Sequence, residues 1–302
     1  MLRRSLLQNT NFFSRSLTKI NHLQLLFLAG VFVPLFFGQV ASAQVKATAT
    51  PDETYLDFQP LTVDCAPRAL LFAMKYGNQE LKSAYAQLNG DHMEGKVDFV
   101  IAKWGKVPSR VRGKKRFQNG MYALDILDLS NDVLGQYNQA EVFHHSTTRH
   151  PNESDEECVH RIHKWIKESL DKGFLPIALI DNFVASKVSS EESVAWKSKC
   201  AHAVAISKVP DSLRGNQTGF AFEFVESDEI VSDGYICFEN VRNYPPLVPT
   251  SKILEKRYPI VAGMSGLQIE EIAPNDRTLI VVRGLIGRFP EGLKAWKKNP
   301  PR

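Results

Sequence analysis

Apolar residues recur along this chain first with the period of a helix and later with that of a strand. The later part carries short apolar or alternating runs, as expected for buried strands. Because the predicted helices come first and the strands follow, the order favours an α+β fold with an antiparallel sheet. The predicted helices cover 65–76, 79–88, 121–134 and 154–170, the predicted strands cover 175–180, 201–209, 220–225, 235–241 and 279–282, and 97–104 is compatible with either.

Two of the predicted helices have sharp start signals. Ser154 and Glu157 have the spacing of a capping box, and Gly173 is placed to end that helix. Asp64 is a predicted N-cap for the helix that starts at Cys65. That helix is apolar on nearly every face, so we expect it to lie at the centre of the domain.

The first 43 residues have the three-part pattern of a secretory leader. They combine a basic start, a 14-residue apolar run over 25–38 and Ala41-Ser42-Ala43. We expect cleavage after Ala43, a flexible N-terminus over 44–54 and one catalytic domain over 55–302, with 245–302 an unassigned extension of it. The mature protein is then periplasmic or extracellular and meets the membrane only through its leader. The sequence does not indicate an oligomeric state.

The net charge of the chain comes from that leader. The leader holds four of the 37 Lys and Arg residues and none of the 33 Asp and Glu residues, so the remainder is balanced. A balanced surface argues against a nucleic-acid partner. One basic run, 103–116, is read as a solvated loop, with a patch for an acidic substrate or an anionic surface as the alternative.

The four cysteines are compatible with two interpretations, two disulfides or a free nucleophile with one disulfide at most. In an exported protein an even number of cysteines is compatible with two disulfides. If Cys65 is instead a free nucleophile, one pair at most forms within the chain. The preferred pair is then Cys200 with Cys237, because both lie on predicted strands.

The residues around Cys65 suggest nucleophilic chemistry. A cysteine in the first turn of a helix faces unpaired N–H groups and the positive end of the helix dipole, which favour the thiolate. Gln59 is either a polar loop residue or an oxyanion donor beside the Cys65 N–H. His202, inside a predicted strand, is either a satisfied core histidine or the base. Asn240, with Asp228 as the runner-up, follows on later strands and is placed to orient an imidazole.

These residues resemble the papain-like cysteine peptidases. Asp64-Cys65-Ala66-Pro67 is similar to the opening of the central helix in the bacteriocin-processing (double-glycine) peptidases and their stand-alone relatives, although Ala66 replaces their glycine. The stretches 201–206 and 235–240 look more like papain itself. The resemblance implies a papain-like fold, with the nucleophile at a helix start and the helices packed on a C-terminal antiparallel sheet.

The resemblance also implies an exported cysteine peptidase or amide hydrolase that acts on a protein or peptide by a Cys-His-Asn mechanism without a cofactor. Two alternatives stay open. One is a non-catalytic exported binding domain on the same fold, and the other is a transglutaminase-like or cell-wall amide hydrolase. A zinc site is a weaker hypothesis that rests on a cluster of histidines without a recognised spacing; these are His144, His145, His150, His160 and His163.

Overall fold

The helices form where apolar residues recur at helical spacing. The computed structural model describes residues 64–118, 120–187, 194–225, 231–237, 259–262, 278–290 and 292, with only the backbone described for 185–187, 194–200, 262 and 278. All four predicted helices are confirmed, and the ambiguous stretch 97–104 is helical. The helices are α1 (Cys65–Lys75), α2 (Gln79–Gln87), α3 (Met93–Val100), which continues into a π-helical turn (Ile101–Gly105), α4 (Ala123–Gln136) and α5 (Asp155–Asp171).

The capping signals of α5 are also confirmed. The Ser154 hydroxyl accepts the Glu157 N–H at 3.1 Å, and the Glu157 carboxylate accepts the Ser154 N–H at 2.7 Å. Gly173, with φ of 73°, takes the left-handed conformation that ends the helix. None of the helices in the described part of the chain is long and apolar enough to cross a membrane. The predicted leader lies outside the described residues.

The strands form one antiparallel sheet in the order β1-β7-β2-β3-β4-β5-β6. Because β6 also pairs with β7, the six strands from β2 to β7 close into a ring, to which β1 adds along β7. The mixed α and β architecture with an antiparallel sheet is therefore confirmed. The strands are β1 (Phe143–Ser146), β2 (Ile177–Lys187), β3 (Val194–Lys208), β4 (Gly219–Val225), β5 (Val231–Cys237), β6 (Ile260–Ala262) and β7 (Thr278–Gly287).

Two hydrophobic clusters cover opposite faces of β2 and β3. Leu179 and Ala203 belong to the first cluster, which contains the buried residues of α1 to α4. Ile180 and Val204 belong to the second cluster, which contains the buried residues of α5 and most of those of β4. Because consecutive side chains of a strand point to opposite faces, neighbouring residues of β2 and β3 serve different cores.

Candidate active site around Cys65

Cys65 is the first residue of α1, as the sequence predicts, but Asp64 does not cap the helix with its side chain. Its carboxylate instead accepts a hydrogen bond from Arg68 at 2.7 Å, and Arg68 also bonds Glu94 at 3.2 Å. Arg68 lies one turn further along the helix, and opposite charges at this spacing attract each other. Asp64 is therefore the N-cap residue, as predicted, but the predicted side-chain capping hydrogen bond is not formed.

The Cys65 thiol is free and almost buried, with 7% of the residue exposed. It lies in the first hydrophobic cluster, to which β3 contributes Ala201 and Ala203. Helix α1 packs on β3 more than on any other strand. Small side chains on the strand permit this close approach.

The end of α1 is fixed beside the start of β2. The Asn78 N–H, just after the helix, donates to the Gly173 carbonyl at 2.8 Å, and β2 begins at Ile177.

His202 follows Ala201 on β3 and pairs with Ile180 of β2. Ala201 and Ala203 face α1, whereas Val204 belongs to the second cluster. By alternation, the His202 side chain leaves the backbone on the face opposite α1. The residue is partly exposed and forms an interaction of its own. The structure thus places the His202 strand against α1 but directs the His202 side chain to the other face of the sheet, so it does not bring the two side chains of the predicted Cys65–His202 dyad together.

The other predicted site residues lie outside the described residues. These are Gln59, Asn240 and Asp228.

The predicted disulfide between Cys200 and Cys237 is not formed, since the buried Cys237 is in no disulfide. Strands β3 and β5 are separated by β4, which pairs Ala205 with Val225 and Val225 with Val231. From this row, Cys200 and Cys237 lie in opposite directions along the sheet, about 11 residues or 36 Å apart. A disulfide requires Cα atoms within about 7 Å.

A buried ion pair, which no pattern in the sequence predicts, lies on the same face as α1. Asp181 and Arg283 form an ion pair in which both side chains are almost fully buried. Burial raises the pKa of Asp181, although the Arg283 charge and hydrogen bond oppose this effect. Burial, helped by the charges of His145, Arg110 and Arg283, lowers the pKa of the nearby His144 to about 3, so this imidazole stays neutral at physiological pH.

The basic run 103–116 is neither a solvated loop nor a uniformly exposed patch. Its four lysines are exposed, but its three arginines pair with aspartates on α4. Asp125, Asp128 and Asp132 have the spacing of a single helix face. The nitrogen–oxygen distances are 3.2 Å for Arg110–Asp128, 3.7 Å for Arg112–Asp125 and 2.5 Å for Arg116–Asp132.

The histidine cluster does not form a metal site in the described part of the chain. No group of three or more His, Cys, Asp or Glu side chains there is arranged to hold a metal ion. His160 and His163 bond the backbone carbonyls of Arg214 and Pro210 at 2.9 Å and 2.6 Å. These two imidazoles therefore fix the loop after β3 to α5.

No protein-family model, no curated protein and no solved structure matches this chain. The assignment to the papain-like peptidases therefore stays a proposal.

Proposed function

We propose that this chain is an exported cysteine peptidase or related amide hydrolase of papain-like fold, with Cys65 as the nucleophile. His202 is proposed as the base from the resemblance alone, since strand alternation directs its side chain to the face opposite α1. The observation that carries the proposal is the placement of Cys65. Its free thiol lies in the first turn of a central helix that packs on β3. The first N–H groups of a helix have no intrahelical partner, so they stabilise a thiolate and an oxyanion beside it.

The reaction is acyl transfer. The Cys65 sulfur attacks the carbonyl carbon, and the negative charge that develops on oxygen is held by the Cys65 N–H and the Gln59 amide. The carbon–nitrogen bond then breaks, and His202 gives its proton to the leaving amine. Water next attacks the thioester, gives a proton back to His202 and releases the acid and the thiolate. The residue proposed to orient the imidazole is Asn240, with Asp228 as the runner-up.

The state of the cysteines also supports an enzyme over a stapled binding domain. A binding domain without turnover would be favoured by a disulfide at Cys65, and the Cys65 thiol is free. Cys158 offers a useful contrast within the same chain. Its sulfur is fully buried, lies 3.7 Å from the Thr147 carbonyl, and has a pKa raised mainly by burial. We therefore expect Cys158 to be inert, as a structural thiol is.

The first test is alkylation of the purified protein by iodoacetamide at pH 6, followed by mass mapping of each cysteine. We expect Cys65 to react at least about tenfold faster than an ordinary thiol, because only the thiolate reacts. The advantage should be lost in His202→Ala. The matched control is His160→Ala, which removes an imidazole from α5 and should keep the fast reaction. A Cys65 that reacts as slowly as Cys158 would contradict the proposal.

Activity then separates the enzymatic alternatives. Peptide libraries test a peptidase, and peptidoglycan fragments test a cell-wall amide hydrolase. Cys65→Ser should abolish turnover on whichever substrate is cleaved, because a hydroxyl is a far weaker nucleophile than a thiolate at neutral pH. Turnover that persists in Cys65→Ser would show that another residue is the nucleophile.

A further inference from the structure

The basic run 103–116, here called the lysine loop, separates two kinds of positive charge. Each of its three arginines pairs with an aspartate of α4, and their side chains are at most 17% exposed. Its four lysines are exposed, and within the described residues none of them pairs with a carboxylate. The uncompensated charge of the loop therefore belongs to its lysines, which are Lys103, Lys106, Lys114 and Lys115.

The backbone of the lysine loop is fixed by polar side chains from within the loop. Ser109 donates its hydroxyl to Asp125 at 3.0 Å and accepts the Arg112 N–H at 3.0 Å. The Arg112 guanidinium donates to the carbonyls of Lys115 at 3.3 Å and Gly120 at 3.5 Å. Because these bonds already order the loop, a ligand that binds its lysines has little backbone entropy to remove.

The two limbs of the loop run side by side, which brings lysines from both limbs together. Pro108 pairs with Lys115 in an antiparallel bridge, and the Arg116 N–H donates to the Val107 carbonyl at 2.9 Å. Lys106 directly precedes Val107 and is exposed on the first limb. Arg116 is buried, so by alternation its neighbour Lys115 points outward. The exposed side of the loop thus carries a group of neighbouring ammonium groups.

Lys103 extends this group of charges onto the π-helical turn. Its ammonium lies 4.4 Å from the centre of the Trp104 ring and 5.6 Å from that of the Phe99 ring. The side-chain oxygen of Gln136 lies 3.4 Å away. Rings and amides carry no net negative charge, so these neighbours orient the ammonium without neutralising it.

The chemistry of the exposed groups restricts the kind of partner. Arginine recognises single phosphates and carboxylates through a planar pair of N–H donors, but the arginines of this loop already pair with aspartates. Lysine is a hydrated point charge that attracts negative charge without a fixed geometry. Elsewhere on the surface Lys164, Lys167 and Lys208 pair with carboxylates at 3.8, 2.8 and 2.6 Å. A loop that presents only uncompensated lysines therefore fits an extended anionic surface rather than a single anion.

We propose that the lysine loop binds the surface of a bilayer that contains anionic phospholipid. The folded domain then has a membrane contact of its own, in addition to the predicted leader. Each lysine close to an anionic bilayer strengthens binding by about fivefold, over a range of about 8–10 Å at physiological salt. The inference goes beyond the proposed function and does not depend on Cys65, so Cys65→Ser should bind vesicles as the wild type does.

The first test is lysine acetylation of the full wild-type chain by an N-hydroxysuccinimide ester, followed by mass mapping. The protein is mixed with vesicles of phosphatidylcholine or of a two-to-one mixture of phosphatidylcholine and phosphatidylglycerol. The four lysines of the loop should react several-fold more slowly on the anionic vesicles, whereas the exposed Lys82 and Lys164 should react equally on both. Each lysine is compared with itself, so the predicted leader does not affect the comparison. Equal reactivity of the loop lysines on the two kinds of vesicle would overturn the inference.

The second test is co-sedimentation of variants with the same anionic vesicles. Replacing the four loop lysines together should weaken binding at least about tenfold, because four positive charges leave the membrane contact. These substitutions are Lys103→Gln, Lys106→Gln, Lys114→Gln and Lys115→Gln. The matched control changes the net charge equally at other places and should bind nearly as the wild type does; it combines Lys82→Gln, Lys164→Gln, Lys167→Gln and Lys208→Gln. An equal effect of the two sets would overturn the inference, and melting temperatures verify that both variants are folded.

Competition experiments separate the lipid surface from other anions. Raising the NaCl concentration from about 0.1 M to about 0.5 M should release the protein from the vesicles, because salt shortens the range of the attraction. Inorganic phosphate at the same ionic strength should release no more protein than chloride does. A stronger effect of phosphate would indicate a site for the free anion and would overturn the inference. Soluble polyglutamate that protects the loop lysines better than the anionic vesicles do would identify an acidic protein as the partner and would also overturn it.

Discussion

Gly284 lies on β7 opposite Ser146 of β1 and next to Arg283 of the buried ion pair. A Cβ atom at this position would lie 2.5 Å from the His144 Nε2 and 3.0 Å from the backbone oxygen of His145. The His144 ring is 2% exposed, so it has no free space into which it can move. Glycine is therefore required by the contact rather than by its backbone angles.

We expect Gly284→Ala to lower the free energy of unfolding by about 1–3 kcal/mol, because the added methyl group forces a buried ring and a strand apart. Urea denaturation followed by circular dichroism measures the change. The control is Gly135→Ala in α4, where a Cβ meets nothing within 4 Å. That variant should be neutral or more stable by up to about 1 kcal/mol, because alanine favours a helix. Equal effects of the two substitutions would contradict the prediction.

The contacts that could be predicted from the sequence are those between residues close together along the chain. The capping pair Ser154 and Glu157 lies within one helical turn, so its spacing alone predicts the contact. Asp64 shows the limit, since a second local partner, Arg68, competes for its carboxylate. The burial of His144 could not be predicted, because it depends on Gly284, a distant residue along the chain that has no side chain to occupy the space of the imidazole.

At the scale of elements, the loop after the π-helical turn is fixed to α4 by charge pairs. Asp125 is the most enclosed of the three aspartates, with no surface exposed, and accepts a hydrogen bond from the Ser109 hydroxyl at 3.0 Å. Burial raises the pKa of Asp125 above its ordinary value of 3.8, against the opposing effects of Ser109 and Arg112. The folded protein thus holds this proton more tightly than the unfolded chain does.

The sign of the pH dependence follows from that shift. As the pH rises from about 3.8 through the folded-state pKa of Asp125, the unfolded chain releases the proton first, so the free energy of unfolding falls. Asp125→Asn keeps an acceptor for Ser109 and removes the titration. Relative to this variant, the wild type should lose stability with rising pH and then level off. Urea denaturation from pH 4 to 7 tests this, with the exposed Asp211→Asn as the control for losing a carboxylate.

The elements could be predicted where their own pattern is strong. Four helices were found because apolar residues recur over several turns, whereas β1 and β6 were missed. β1 contains two histidines in four residues, and β6 has three residues, so neither shows alternation. The composition of 103–116 predicts solvated arginines, whereas the aspartates at positions 125, 128 and 132 form a matching face of α4. The helical spacing of these three aspartates is the sequence signal from which the ion pairs could be predicted.

At the scale of the described fold, the two hydrophobic clusters share one sheet. Leu179 faces the α1 cluster and Ile180 faces the α5 cluster, and each residue is at most 2% exposed. A cavity on either face should therefore weaken the same strands. The unfolding of the two clusters is expected to be one cooperative event.

Leu179→Ala and Ile180→Ala should each lower the free energy of unfolding by about 2–5 kcal/mol. Trp104 belongs to the first cluster and Trp165 packs against the second, so fluorine-labelled tryptophan reports both faces by NMR. In each variant, the two signals should disappear at the same urea concentration. A Leu179→Ala variant that loses the Trp104 signal first, while Trp165 keeps its folded signal, would show that the faces unfold separately.

The closure of the sheet between β6 and β7 has a consequence for the resistance of the protein to aggregation. Each of the six strands in the ring has a hydrogen-bonded neighbour on both sides. Where these pairings run, the backbone has no row of open donors and acceptors on which another chain can be templated. Beside the ring, β1 has a single described neighbour and is only four residues long. The closed ring thereby limits the edge-to-edge growth that leads to fibrils.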